Sequence, residues 1–210
     1  MSKLRLLHLQ RVFAAAAVCG MAALGLQGCV EMAVGTAVMG TLAATDRRTL
    51  GAQTEDKTIT VKGEARAANV VGDAGHVNVA SFNRRVLLTG EVKDEATKQA
   101  VEREIGAIEG VASVVNDLEV GGVTSMTSRS NDSLITGKVK ASFVDTKDLY
   151  ANSIKVVTER GNVYLMGRVT QREANIATEV ARGVSGVHKV VKVFEYISED
   201  DLKQMTTKTL

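Results

Sequence analysis

The sequence predicts an α+β protein built from one αββαβ unit written twice, each copy a three-stranded mixed sheet packed against helices. Two observations carry that prediction. The first is an internal repeat: Val77-Asn-Val-Ala-Ser-Phe-Asn-Arg-Arg-Val-Leu-Leu-Thr-Gly-Glu-Val92 has the plan of Ile154-Lys-Val-Val-Thr-Glu-Arg-Gly-Asn-Val-Tyr-Leu-Met-Gly-Arg-Val169. Each holds an alternating run, a polar turn, a second apolar run, then Gly-x-Val. The second is that each hairpin leads into a charged stretch with helical apolar spacing, then a glycine and a β-branched run.

Taken in order, Lys57 to Asn69 reads as the first helix. Its Thr58-Ile-Thr-Val61 is β-branched and Gly63 interrupts it, so the same stretch also suits a strand. The first hairpin turns at Asn83-Arg84 and the second at Gly161-Asn162, residue types that favour tight turns. Asp94 opens a helix whose inward residues are Ala100 or Val101, Ile105 and Ile108. Thr170-Gln-Arg-Glu173 is a capping box, followed by the stripe Ile176, Ala177, Val180, Ala181 and Val184. Gly110 and Gly186 mark the exits from these helices, and Val111–Val120 and Val187–Tyr196 are the last strands. Asn131-Asp132-Ser133 offers caps to a helix over Leu134–Asp145. The resulting division is 1–28 signal, 29–55 tether, 56–120 first domain, 121–130 polar Gly/Ser linker, 131–198 second domain and 199–210 tail. Each unit is too small to bury much apolar surface alone, so docking between them is expected to add stability.

The N-terminus carries an address. Lys3, Arg5 and Arg11 precede an uncharged run from Val12 to Leu26, too short to span a membrane and suited to a secretory signal. The run ends in Leu26-Gln-Gly-Cys29, which resembles the bacterial lipobox and makes Cys29 the lipidation site. Val30 stands where aspartate would favour inner-membrane retention, so outer-membrane export is expected, with the protein facing the periplasm. The alternative, an ordinary secreted protein or signal anchor, would need a different cleavage ending. The stretch Glu31 to Gly40 is apolar, rich in small residues and too short to span.

Composition removes several function classes. The precursor carries 26 Lys+Arg against 24 Asp+Glu; losing Lys3, Arg5 and Arg11 with the signal leaves the mature chain near neutral. No basic excess argues for nucleic acid. Cys19 leaves with the signal and Cys29 is acylated, so disulfides and thiolate chemistry are not expected. His76 and His188 are isolated and read as surface or strand-edge residues, with no metal-ligand spacing. Glu102, Glu104, Glu109, Glu173 and Glu179 read as members of solvated helix faces. No phosphate loop or nucleophile elbow is present, and neither an enzyme nor a cofactor is expected.

The two αββαβ units, each with a hairpin ending in Gly-x-Val (Gly90-Glu91-Val92, Gly167-Arg168-Val169) and a Gly-Val entry to the last strand, resemble the BON-domain family. The lipobox, Ala43-Ala-Thr-Asp-Arg47, Val163-Tyr-Leu-Met-Gly-Arg-Val-Thr170 and Val184-Ser-Gly-Val187 extend the likeness to dual-BON outer-membrane lipoproteins. That resemblance implies a non-enzymatic protein that binds anionic phospholipid, phosphatidylglycerol or cardiolipin, through its second domain. It also implies upkeep of the outer-membrane barrier and links to the division site and the β-barrel assembly machinery.

The residues of the helix Leu134–Asp145 can be asked whether they suit that task. Ile135, Val139 and Phe143 share one face and can fill a core. Leu134, Gly137, Lys138, Ala141 and Val144 form a second face, with Lys140 and Lys147 nearby, and a mixed apolar and basic face suits a membrane interface. Three other readings stay open: Leu134 and Val144 pack on the first domain, they are scattered surface apolar residues, or the face docks on a protein and the chain is an interaction scaffold. Leu134 also stands where the resembled lipoproteins carry a tryptophan, a residue that favours the interface more strongly.

Overall fold

The computed structural model describes residues 46–207; the signal, Cys29 and the tether as far as residue 45 lie outside the described residues. Helix α1 (Leu50–Val71) begins at Thr49, whose hydroxyl accepts the Ala52 amide. Strands β1 (His76–Phe82) and β2 (Arg85–Val92) pair antiparallel, α2 (Glu95–Gly106) comes next, and β3 (Ser113–Asn116) and β4 (Glu119–Val120) both run parallel to β2. The second unit repeats the order: α3 (Met126–Val144), β5 (Ile154–Glu159) antiparallel to β6 (Asn162–Val169), α4 (Gln171–Arg182), then β7 (Lys189–Tyr196) parallel to β6. A last helix, α5 (Glu199–Thr207), occupies the expected tail. The fold is α+β, with two mixed sheets, as the repeat predicts.

Several local expectations need correcting. The first helix is a helix throughout and starts at Leu50, inside the stretch read as tether. Gly63 does not interrupt it. A Cβ there would sit 2.8 Å from Val79 Cγ1, so the glycine lets α1 lie close on β1. The stretch 126–130, read as linker, is the first part of α3, whose cap is Ser125 rather than Asn131-Asp132-Ser133. The second hairpin turns at Arg160-Gly161, one residue earlier than expected, because Glu159 pairs with Asn162. The helices α2 and α4 stop at Gly106 and Arg182, short of Gly110 and Gly186, which sit at positive φ in the turn beyond.

Both hairpin turns place two successive residues at positive φ, Asn83-Arg84 and Arg160-Gly161, which strains all but glycine. In each copy a buried aspartate of the preceding helix compensates. Asp56 accepts the amides of Asn83 and Arg84 at 2.7 and 2.8 Å, and Asp132 accepts those of Arg160 and Gly161 at 2.9 and 2.8 Å. Burial would push the Asp56 carboxyl up, but hydrogen bonds from Ser81, the two amides and Arg48 hold it below the usual carboxylate range. Glycine recurs for a second reason in Gly-x-Val: a Cβ at Gly90 would lie 2.1 Å from the His76 carbonyl oxygen, and one at Gly167 2.6 Å from that of Ser153.

The central strand of each sheet, β2 or β6, is buried on both faces. Val86, Leu88 and Val92 point to the first core with Ile59, Val101 and Ile105, while Val163, Leu165 and Val169 point to the second with Ile135, Val139 and Phe143. The alternate residues Ala80, Phe82 and Leu87 meet Val157, Tyr164, Met166 and Val193 in a third cluster between the sheets. Polar contacts frame it: Tyr164 donates to Asp117 (2.7 Å), Arg85 to the Phe194 carbonyl (2.9 Å) and Asn83 to Glu195 (2.5 Å). The chain just before α1 straps the outside. Arg47 makes a bidentate pair with Glu173 at 2.6 and 2.8 Å and donates to the Arg168 carbonyl, while Arg48 bonds Asp46 and Asp56 and lies 4.1 Å over the Phe82 ring. Glu173 is therefore buried, not part of a solvated face; its capping-box bond to the Thr170 amide is formed as expected.

One charge at this interface is unfavourable. Glu159, buried at the end of β5, accepts a long bond (3.3 Å) from Thr89 of the other domain. Burial, with Glu91 and Asp132 nearby, raises its carboxyl to about 7. Glu91 is itself buried and accepts from the Thr124 hydroxyl and amide.

This interface generates two testable outcomes. Leu87→Ala removes a side chain with no exposure and is expected to cost about 2–4 kcal/mol in urea unfolding. Leu87→Asp should split one calorimetric transition into two; a single transition of unchanged midpoint would show that the sheets are not coupled through this cluster. For Glu159, the folded state holds the proton more tightly than the unfolded one. Its contribution is complete below the unfolded value of 4.5 and is lost as pH rises through about 7. Stability measured from pH 5 to 8 should therefore decline by roughly 2 kcal/mol from this group, and Glu159→Gln should flatten that decline.

Candidate functional site

Helix α3 forms because Ser125 caps it and because Asp132, Ile135, Val139 and Phe143 recur on one side and are all buried. Asp132 bonds the hairpin turn, and the three apolar residues fill the second core. On the second domain's far side from the sheet, the helix presents its other face. Leu134 is 64% exposed and Val144 73% exposed, and Gly137, Lys138 and Ala141 between them are exposed as well. Lys140 and Lys147 are also exposed, and among the described residues neither they nor Lys138 form an ion pair.

This exposure answers one open question: Leu134 and Val144 do not pack on the first domain, whose contact with the second runs through the sheets. Gly137 is not demanded by packing, since a Cβ there would meet nothing within 4 Å among the described residues. The face is consequently flat in the middle with a large apolar side chain at each end.

One residue of this face escaped the reading of the sequence. Met126 is 72% exposed and, at 3.6 residues per turn, lies on the same side as Gly137 and Val144. It was concealed because the Gly/Ser-rich stretch before it reads as linker. The available signal was Ser125, a cap residue standing directly before Met126 and a first helical turn. Exposed apolar side chains thus stand at both ends of a 19-residue helix, about 27 Å apart, with Ser130 and Ser133 between Met126 and Leu134. Asp145 and Asp148, exposed at its C-terminal end, partly offset the lysines.

The other singled-out residues lie apart. His188 is exposed; His76 opens β1 with its Nδ1 buried, without a hydrogen bond among the described residues and 3.9 Å from Glu91, and burial and Arg129 lower its pKa against the pull of Glu91. Glu102, Glu104, Glu109 and Glu179 are exposed, as expected. Among the described residues no group of three or more His, Cys, Asp or Glu could hold a metal ion, and no helix is long and apolar enough to cross a membrane.

With this geometry in place, comparison with known proteins gives a consistent result. The BON domain profile matches residues 56–122 and again 131–198. Outer membrane lipoprotein DolP of Haemophilus influenzae is 40% identical over 175 residues, which cover 82% of this chain and 90% of that protein. The 21 kDa hemolysin of Actinobacillus pleuropneumoniae is 33% identical over 157 residues, 72% of this chain and 79% of that one. A solved structure of CdsD, a structural protein of the Type III secretion system of Chlamydia trachomatis, covers 69% of this chain and 97% of its own at 11% identity, and its TM-score of 0.28 carries no argument. Two matched domains, in the positions of the internal repeat, place this chain in the BON domain family as a DolP-like protein with two BON domains in tandem.

Proposed function

We propose that this protein is an outer-membrane lipoprotein, anchored through acylated Cys29 and facing the periplasm, that binds anionic phospholipid through α3 and helps maintain the outer-membrane barrier. The anchor and the location are supported by the lipobox-like Leu26-Gln-Gly-Cys29 and by the name of the Haemophilus relative. The single observation that carries the lipid reading is the exposure of Leu134 and Val144 beside three lysines without ion pairs among the described residues. A helix face of this kind places apolar side chains in the acyl boundary while ammonium groups meet phosphates. Each lysine near an anionic surface contributes about 1 kcal/mol, so the face discriminates by charge and fades with salt.

The reading assigns a limited role to the helix. Several acyl chains on Cys29 attach the protein regardless of α3, so the helix selects which lipids surround it. Residues 46–207 hold all three apolar clusters, and a chain beginning near Asp46 reports the helix without the anchor. Such a chain should float with liposomes containing phosphatidylglycerol or cardiolipin and not with neutral ones. Leu134→Glu/Val144→Glu should reduce flotation at least tenfold with an unchanged melting temperature, since both side chains lie outside the cores. Flotation indifferent to anionic content would overturn the reading, and a wild type that never floats would turn the face over to a protein partner such as the β-barrel assembly machinery.

A further inference from the structure

Beside α1, where Ser81 of β1 meets Lys155 of β5, lies a groove of roughly 1010 Å³. Its charged lining residues are Arg48, Asp56, Lys57, Lys62, Glu64 and Lys155, and no residue of α3 lines it. Arg48 and Asp56 are already matched. Arg48 is paired with both Asp46 and Asp56, and the Asp56 oxygens also accept from Ser81 Oγ and from two turn amides. The Thr54 and Thr58 hydroxyls are committed to carbonyls of their own helix.

Among the described residues Lys155 is the one charged group of the groove that is both half-buried and without an ion pair; Glu64, Lys57 and Lys62 are exposed. Lys155 lies at the floor, and its ammonium donates one hydrogen bond, to the Ser81 carbonyl at 3.2 Å. An ammonium has three donors, so charge and hydrogen-bonding capacity both remain. Burial and then Arg48 lower its pKa, Asp56 opposes them, Lys140 lowers it further and Glu64 opposes again. A desolvated cation among other cations is costly unless an anion joins it. Lys57 and Lys62 stand exposed at the rim, also without ion pairs among the described residues.

We propose that this groove is a binding site for a phosphate-type oxyanion, with Lys155 at its floor and Lys57 and Lys62 at its rim. Lysines recognise phosphate as point charges around a compact, multiply charged group and need no planar fork. The site belongs mainly to the first domain and does not rest on the α3 reading. A lipid headgroup and a soluble phosphate ester share the chemistry.

The test uses the full chain in phosphatidylcholine nanodiscs with lysine side chains labelled for NMR. Glycerol 3-phosphate is added in one arm at constant ionic strength; in the other, phosphatidylglycerol replaces part of the neutral lipid. A bound oxyanion moves the Lys155 Cε resonance saturably and raises its titration midpoint by roughly one unit, a tenfold gain in proton affinity. In Lys155→Met the responses of Lys57 and Lys62 disappear. A response to the soluble ester alone supports the site with a soluble ligand; a response to phosphatidylglycerol, with or without the ester, supports it with a headgroup. No movement of Lys155 in either arm, or Lys57 and Lys62 responses that survive Lys155→Met, overturns the proposal. Leu134→Glu/Val144→Glu leaves the ester response intact, which separates this site from the helix face.

Discussion

Each αββαβ unit has helices enough to cover only one face of its three-stranded sheet. The opposite face of β2 and β6 is apolar at Leu87, Tyr164 and Met166, and water cannot be left against it without losing the burial that holds so small a domain together. The two sheets therefore close on each other, giving a layered order of helices, sheet, sheet and helices. Much else depends on this closure. It buries Glu159 near Glu91, brings Lys155 against Ser81, and lets Arg47 and Arg48, adjacent in sequence, bond into different domains.

Inside each unit, a second constraint sets the orientation of the first helix. The tight hairpin turn needs its two amides satisfied, and the buried carboxylate of Asp56 or Asp132 satisfies them. Fixing Asp132 inward fixes the rotation of α3 about its axis. Leu134, two residues on and about 200° around the helix, must then face outward. The exposed face is thus a consequence of the turn chemistry and of the core residues Ile135, Val139 and Phe143, not of a separate device.

In the proposed role these layers divide the work. The anchor supplies attachment, the paired sheets supply the mount, and α3 supplies a modest, charge-sensitive preference. A face of Met126, Leu134 and Val144 with Lys138, Lys140 and Lys147 suits that modest part: enough to bring the anchorless chain to an anionic surface and to bias the lipids around the anchored one. The groove at Lys155 lies outside this division, with α1 and β1 of the first domain on one side and β5 of the second on the other.

By itself the sequence determined the repeat, the hairpin–helix–strand order within each unit, the caps at Asp94 and Thr170, and the outward set Leu134, Gly137, Lys138, Ala141 and Val144. All of these rest on short-range rules: alternation, 3.6-residue spacing, and side chains that bond amides three residues away. Only the tertiary structure decided the rest. Asp132 reads locally as a cap, yet a turn 28 residues later claims it; Glu173 reads as surface until Arg47, 126 residues earlier, covers it. Gly63 reads as a break until β1 is seen to need the space, and Met126 reads as linker because its apolar partners on α3 begin two turns later. These contacts span separations that no local period encodes, and they form only because burying the second face of each sheet brings distant segments together.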